Sequence, residues 1–183
     1  MRLRIALLSA ALAGLNACAV QMPTLFDDTP KVAAEATLSA SSGSAATGVV
    51  RLETDGAEAI VVSGTVTGLT PNAEHGFHIH EFGDCSAPDA ASAGMHFNPG
   101  GQAHGHHDSA QRHAGDMPNL KADASGRAEF EYRVEGISLG SGAANDALGR
   151  SVIVHRDADD FQSQPAGNAG PRIACGVIRR LAE

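Results

Sequence analysis

Arg127-Ala128-Glu129-Phe130-Glu131-Tyr132-Arg133-Val134-Glu135 decides the fold class. Apolar and charged residues alternate without a break. Successive side chains on a β-strand point to opposite faces, so this segment is a strand with Ala128, Phe130, Tyr132 and Val134 on the core side and a charged outer face. The period is 2, not 3.6. Working outward, Ile60, Val62 and Val66 alternate with Ser63, Thr65 and Thr67 in the same way. Further strands are expected at Val32–Ser39, Thr47–Thr54, His75–Glu81, Arg150–His155 and Arg172–Arg179. Asp55-Gly56 is a hairpin signal, and Asp123 to Gly126 is a second turn. Short strands punctuated by turns predict an all-β protein, an antiparallel sandwich or barrel. The 21 Gly and 8 Pro in 183 residues fit that many turns, and 43% apolar residues suffice for a core. The net charge of −8, with 4% aromatics and no Trp, argues against a nucleic-acid partner.

The N-terminus reads as a targeting segment. Arg2 and Arg4 precede an apolar run of 11 residues, Ile5 to Leu15. That is too short to span a bilayer, which needs about 20 residues, and matches a secretory signal peptide over 1–17. Leu15-Asn16-Ala17-Cys18 resembles a bacterial lipobox and makes Cys18 the lipidation candidate; Ala17-Cys18-Ala19 also suits ordinary signal peptidase. Both readings export the protein, to the periplasm with a lipid anchor at Cys18 or as a soluble secreted chain. Loss of two Arg takes the mature charge from −8 to −10. Residues 18–31 read as a tether and 32–183 as the domain. With Cys18 lipidated or removed, Cys85 and Cys175 remain as a pair that an oxidising compartment would join, or as two separate buried thiols. A bond between them would close a loop of about 90 residues, worth about 4–5 kcal/mol in the chain-entropy account.

Phe82 to Pro118 breaks the strand rhythm. These 37 residues show no helix or strand pattern, yet they hold His96, His104, His106, His107, His113 and Cys85. A loop that long is expected to be functional, held by a disulfide and a metal. His78 and His80 at i, i+2 share one face of their strand, about 6.7 Å apart along it, with Phe77 and Ile79 filling the core behind. His104 follows His96 by 8 residues, His113 follows by 9 more and Asp116 by 3 more; His155 ends the apolar strand Val152-Ile153-Val154. Imidazole suits copper and zinc, and three nitrogens with one carboxylate is a common zinc set. A lone His-x-His is more often a surface pair. His104-Gly105-His106-His107 also reads as an adventitious metal-binding surface. Spacing leaves open which of the three is a ligand, and whether the metal is copper, zinc or iron. His75 is expected on the surface of its strand, and Met95 in the packing of its loop.

Five blocks carry a resemblance: Gly76-Phe77-His78-Ile79-His80-Glu81-Phe82-Gly83-Asp84, Gly94-Met95-His96-Phe97-Asn98-Pro99, Arg112-His113-Ala114-Gly115-Asp116, Val154-His155-Arg156-Asp157-Ala158-Asp159-Asp160, and Gly167 to Ile178 through Arg172 and Cys175. In this order, over Val32 to Ile178, they resemble copper/zinc superoxide dismutase of the bacterial exported type. The resemblance implies a Greek-key antiparallel β-sandwich of about eight strands, with long metal-binding and active-site loops, one copper and one zinc per subunit, and superoxide as substrate. His78, His80, His96 and His155 match the copper ligands. His96, His104, His113 and Asp116 match the zinc ligands, with His96 the bridge. Asp159 matches the carboxylate that hydrogen-bonds one ligand of each metal, Arg172 the active-site arginine, and Cys85 and Cys175 the disulfide. In the family the bridging His, here His96, releases reduced copper and takes a proton. The implied role is periplasmic antioxidant defence, with a homodimer as the assembly to test; bacterial and animal enzymes pair through different surfaces, so no contact residues carry over. The span from His155 to Arg172 is 17 residues, shorter than in the animal enzymes, and its charges are only Arg156, Asp157, Asp159 and Asp160. A copper-handling module without catalysis would lack a copper ligand or Arg172; both are present. A periplasmic metal buffer built on His104, His106 and His107 would bind several ions weakly and not dismutate.

Overall fold

The computed structural model describes residues 33–56 and 58–182; the segments read as signal peptide and tether, Cys18 included, lie outside the described residues. Ten strands follow in order: β1 (Ala33–Ala40), β2 (Thr47–Thr54), β3 (Ala59–Thr67), β4 (Glu74–His75), β5 (Phe77–His80), β6 (Leu120–Lys121), β7 (Ala128–Glu135), β8 (Ser151–His155), β9 (Arg172–Val177) and β10 (Arg179–Arg180). The main sheet runs β5-β8-β9-β1-β2-β3-β7, with β10 beside β1, and every pairing is antiparallel. The crossovers from β3 to β7 and from β5 to β8 give the expected all-β, Greek-key character. β1 bridges the halves: its first six residues pair with β2, and Ser39 and Ala40 pair with β9.

The sheet curls because its apolar faces have only each other to cover. Phe77 on β5 and Phe130 on β7 sit at opposite ends of the strand order, yet their ring centroids are 5.0 Å apart, edge to face. The core gathers Leu38, Val50, Leu52, Ile60, Val62, Phe77, Ile79, Val152, Val154 and Ile178 from both halves. On β7 the alternation holds: Ala128 and Val134 are buried, Phe130 and Tyr132 partly so, and the four charged residues from Glu129 to Glu135 are exposed.

Two departures position the site. The strand expected at His75–Glu81 splits at Gly76, whose N–H donates to Asp157 O and whose carbonyl accepts from His155 N–H, both at 2.8 Å. β4 is thereby freed to pair with β6. The long segment 82–118 carries only a 3-10 turn, Ala91–Ala93, but lies along β5. Phe97 donates to Ile79 O, Ile79 to Gly115 O, and Gly115 to Phe97 O, at 2.8–3.0 Å. Backbone bonding orders this segment without making it a strand of the sheet.

Cys85 and Cys175 are joined, with Cα atoms 5.8 Å apart, and pack on Ala90, Ala93 and Ile153. The bond pins the start of the long segment to β9. Replacing both cysteines by serine should lower unfolding stability by about 4–5 kcal/mol. Urea denaturation of oxidised wild type and double variant, monitored by circular dichroism, measures this.

Candidate metal centre

β5 delivers His78 and His80, β8 ends on His155, and the segment running along β5 adds His96 opposite His80. All four imidazoles are buried, none more than 4% exposed. In each ring one nitrogen has a partner. His78 Nε2 donates to Asp159 Oδ2 at 2.7 Å, His80 Nδ1 to Gly94 O at 3.0 Å, and His155 Nδ1 to Gly170 O at 3.1 Å. His96 Nδ1 lies 2.8 Å from Asp116 Oδ1. The opposite nitrogens, His78 Nδ1 and Nε2 of His80, His96 and His155, are buried without a partner. An N–H facing an oxygen leaves the other ring nitrogen as a bare lone pair. One ligand atom from each of the four lies within 4.8 Å of the rest. A buried unpaired acceptor costs about 1–3 kcal/mol. Four of them converging fit a metal ion that takes imidazole nitrogen, such as copper.

Burial, helped by the neighbouring imidazoles, keeps His80, His96 and His155 neutral, each with a lone pair free to bind a metal. It pushes His155 down to about 3 and His96 to about 4, and holds His80 well below the ordinary histidine value.

The second set shares His96. His104, His113 and Asp116 are all buried, and one ligand atom from each lies within 4.8 Å of the others and of His96. His113 Nδ1 is 3.3 Å from both His96 Nδ1 and Asp116 Oδ1, and His104 Nδ1 is 3.0 Å from Asp116 Oδ2. Zinc bonds of 2.0–2.1 Å at tetrahedral angles place ligands about 3.4 Å apart, so the spacing fits zinc. His96 thus turns Nε2 toward the first set and Nδ1 toward the second. Burial opposes the charge on Asp116, but His104, His113 and His96 outweigh it and hold the carboxyl far below the usual carboxylate range. Burial likewise opposes charge on His104, yet Asp116 and Asp159 raise it to about 9. His106 and His107, left open by spacing, lie outside this set on the solvent side.

Asp159 joins the two sets. Its Oδ2 accepts from His78 and its Oδ1 accepts from His104 Nε2 at 2.9 Å. Two residues that sequence reasoning missed hold this arrangement. Asn119, buried, brackets the Asp159 backbone, accepting its N–H at Oδ1 and donating Nδ2 to its carbonyl, both at 3.0 Å. Gln164 does the same for His104: Oε1 accepts His104 N–H at 3.0 Å and Nε2 donates to His104 O at 2.9 Å. Neither lies in a motif, and only tertiary folding brings Gln164 60 residues back to its partner.

Arg172 opens β9 opposite His155. Its guanidinium is half-buried and fixed by two carbonyls of the long segment, Ala90 O at 2.6 Å and Gly94 O at 2.5 Å. Burial lowers its proton affinity, but guanidinium stays charged. Among the described residues it makes no ion pair.

Two expectations are corrected. His75 is wholly buried, not on the surface; with β4 turned away at Gly76, its Nδ1 donates to His155 O at 2.9 Å. Met95 is 46% exposed rather than packed, because its backbone is held by Glu81, whose carboxylate accepts Met95 N–H and whose N–H donates to Met95 O, both at 2.9 Å.

A family model described as copper/zinc superoxide dismutase matches residues 46–178. The chain is 44% identical over 123 residues to superoxide dismutase (Cu-Zn) 2 of Aquifex aeolicus, covering 66% of this chain and 72% of the relative. It is 44% identical over 138 residues to superoxide dismutase (Cu-Zn) of Saccharomyces cerevisiae, covering 72% and 88%. It is also similar to the copper chaperone for superoxide dismutase of Rattus norvegicus, 42% over 141 residues, covering 74% of this chain and 49% of that one.

Gly167 gives a direct test of the Asp159 link. It sits at φ +64°, and a Cβ there would run into the Asp159 carboxylate and to 2.8 Å from His104 Nε2. Gly167→Ala should push Asp159 off both imidazoles and weaken metal retention by about 10–100-fold. Loss of copper and zinc to a competing chelator, followed by elemental analysis, measures the change; wild-type retention would show that Asp159 does not govern the sites.

Proposed function

The chain belongs to the copper/zinc superoxide dismutase family, and on that premise we propose how its residues divide the work of converting two superoxide anions and two protons to oxygen and hydrogen peroxide. His78, His80, His96 and His155 hold the copper, and His96, His104, His113 and Asp116 hold the zinc, one ion of each per chain. What carries this reading is the pattern of buried, unpartnered nitrogens: four imidazoles aim bare lone pairs at one point, and one of them, His96, turns its other nitrogen into the neighbouring set.

Copper, when bound, supplies one-electron chemistry that can both take an electron from superoxide and return one, which zinc lacks. The chain supplies the rest. The Arg172 fork, charged and without an acidic partner, binds the small anion beside His155. His96 Nε2 is buried without a partner, and burial keeps it unprotonated and free as a ligand nitrogen. The zinc set keeps the His96 ring from rotating by engaging Nδ1 from the far side, and Asp159 locks the rings of His78 and His104. A copper chaperone shares the domain, but catalysis in this chain is supported by the complete imidazole set together with Arg172.

Export is part of the proposal. The Arg-Ile5–Leu15 leader and the lipobox-like Leu15-Asn16-Ala17-Cys18 support a periplasmic enzyme anchored through a lipid on Cys18, and the Cys85–Cys175 bond suits an oxidising compartment.

The purified chain from residue 19 onward should contain one copper and one zinc and dismutate superoxide rapidly. Zinc alone, with no activity after copper loading, would overturn the catalytic reading. Arg172→Glu should keep its copper but turn over about tenfold or more slowly at low ionic strength, and lose the wild type's decline with added salt. In cell fractionation of the full-length chain, Cys18→Ser should move the protein from the membrane to the soluble fraction; unchanged partitioning would end the lipoprotein reading.

A further inference from the structure

The geometry points to a third metal site, on the outer side of the loop that carries His104: His106, His107 and Asp108 hold a zinc ion. One ligand atom from each lies within 4.8 Å of the others. Asp108 Oδ2 is 3.5 Å from His107 Nε2 and 3.8 Å from His106 Nδ1. Tetrahedral zinc places its ligands about 3.4 Å apart, so the carboxylate already stands near the required distance from both imidazoles. Two nitrogens and one carboxylate oxygen make a three-ligand zinc set, and a water completes it.

The site is braced. The His106 and His107 rings lie 4.0 Å apart at 33°, and the Phe161 ring stands edge-on to both, at 4.8 and 6.0 Å. The Asp108 backbone N–H donates to His106 Nδ1 at 3.3 Å, a long bond that closes the turn bringing the three together and gives way when that nitrogen takes the ion. His107 Nδ1 is shut off from solvent without a partner, so the outward nitrogen, Nε2, is the one offered beside Asp108.

The site is also distinct. The other seven histidines of the chain are all buried. The side chains of His106, His107 and Asp108 are 48%, 28% and 79% exposed. An ion reaches this cluster without any loop opening, and it exchanges faster than one held in the buried sets. His106 and His107 contribute nothing to those sets, so the third site is separable from them.

Zinc binding to the holoenzyme, with copper and zinc already in place, tests this. Equilibrium dialysis against zinc alone should show one further equivalent, which a mild chelator removes while leaving the original copper and zinc behind. The variant carrying His106→Gln and His107→Gln should keep the original two ions and its dismutation rate, and lose the further equivalent. Asp108→Asn should weaken it. Absence of a further equivalent in the wild-type protein, or its persistence in the double variant, would overturn the proposal.

Discussion

Both metal sets depend on where the Asp159 carboxylate sits. Its two oxygens each take one imidazole N–H, from His78 on β5 and from His104 on the long segment. Each bond fixes which nitrogen of its ring is bare. Without Asp159, two buried N–H groups lose their acceptor, at about 1–3 kcal/mol each, and both rings lose their orientation. A buried carboxylate is itself tolerable only when fully paired. Here the two imidazoles and Phe161 N–H pair it, and together they outweigh burial and hold Asp159 below the usual carboxylate range. The Asn119 bracket on its backbone then transmits that position from the segment after the zinc set to the loop between β8 and β9.

The two sets differ electrostatically although they share a ring. The first is all imidazole and buried. The second holds the Asp116 carboxylate, which with Asp159 raises His104 to about 9. His96 stands between an all-imidazole set and one that adds a carboxylate, and donor sets that differ in this way suit different metals. The net charge of −8 points the wrong way for an anionic substrate. Of the acids in the loop between β8 and β9, Asp157 is offset by an ion pair with Arg156. Among the described residues Arg172 makes no ion pair, which leaves a positive charge near the first metal set.

Period-2 alternation made β2, β3 and β7 readable, because each has one face in the core and one in water. β4 and β6 were not readable: they are two residues long and exist only because Gly76 is bonded to β8 and the following loop. His75 was misplaced for the same reason, since strand parity says nothing once the strand breaks. The metal residues stood out as a cluster of types, but spacing could not separate His104 from His106 and His107 in a loop with no period. Burial separates them. Asn119 and Gln164 left no trace in sequence because they act on backbone groups 40 and 60 residues away.

Gly94 concentrates the remaining demands of the site. Its carbonyl accepts from His80 Nδ1 and from the Arg172 guanidinium, so one peptide sets both a ring of the first metal set and the Arg172 fork. That peptide closes the Ala91–Ala93 turn at φ +75°, where a Cβ would collide with Phe82 and Glu81. The other Arg172 acceptor, Ala90 O, opens the same turn. Both carbonyls ride on a stretch whose packing is completed by the Cys85–Cys175 bond, and Cys175 lies only three residues beyond Arg172 on β9. The disulfide therefore does more than shorten the unfolded chain. It ties β9, which carries the Arg172 guanidinium, to the segment that carries both of its acceptors.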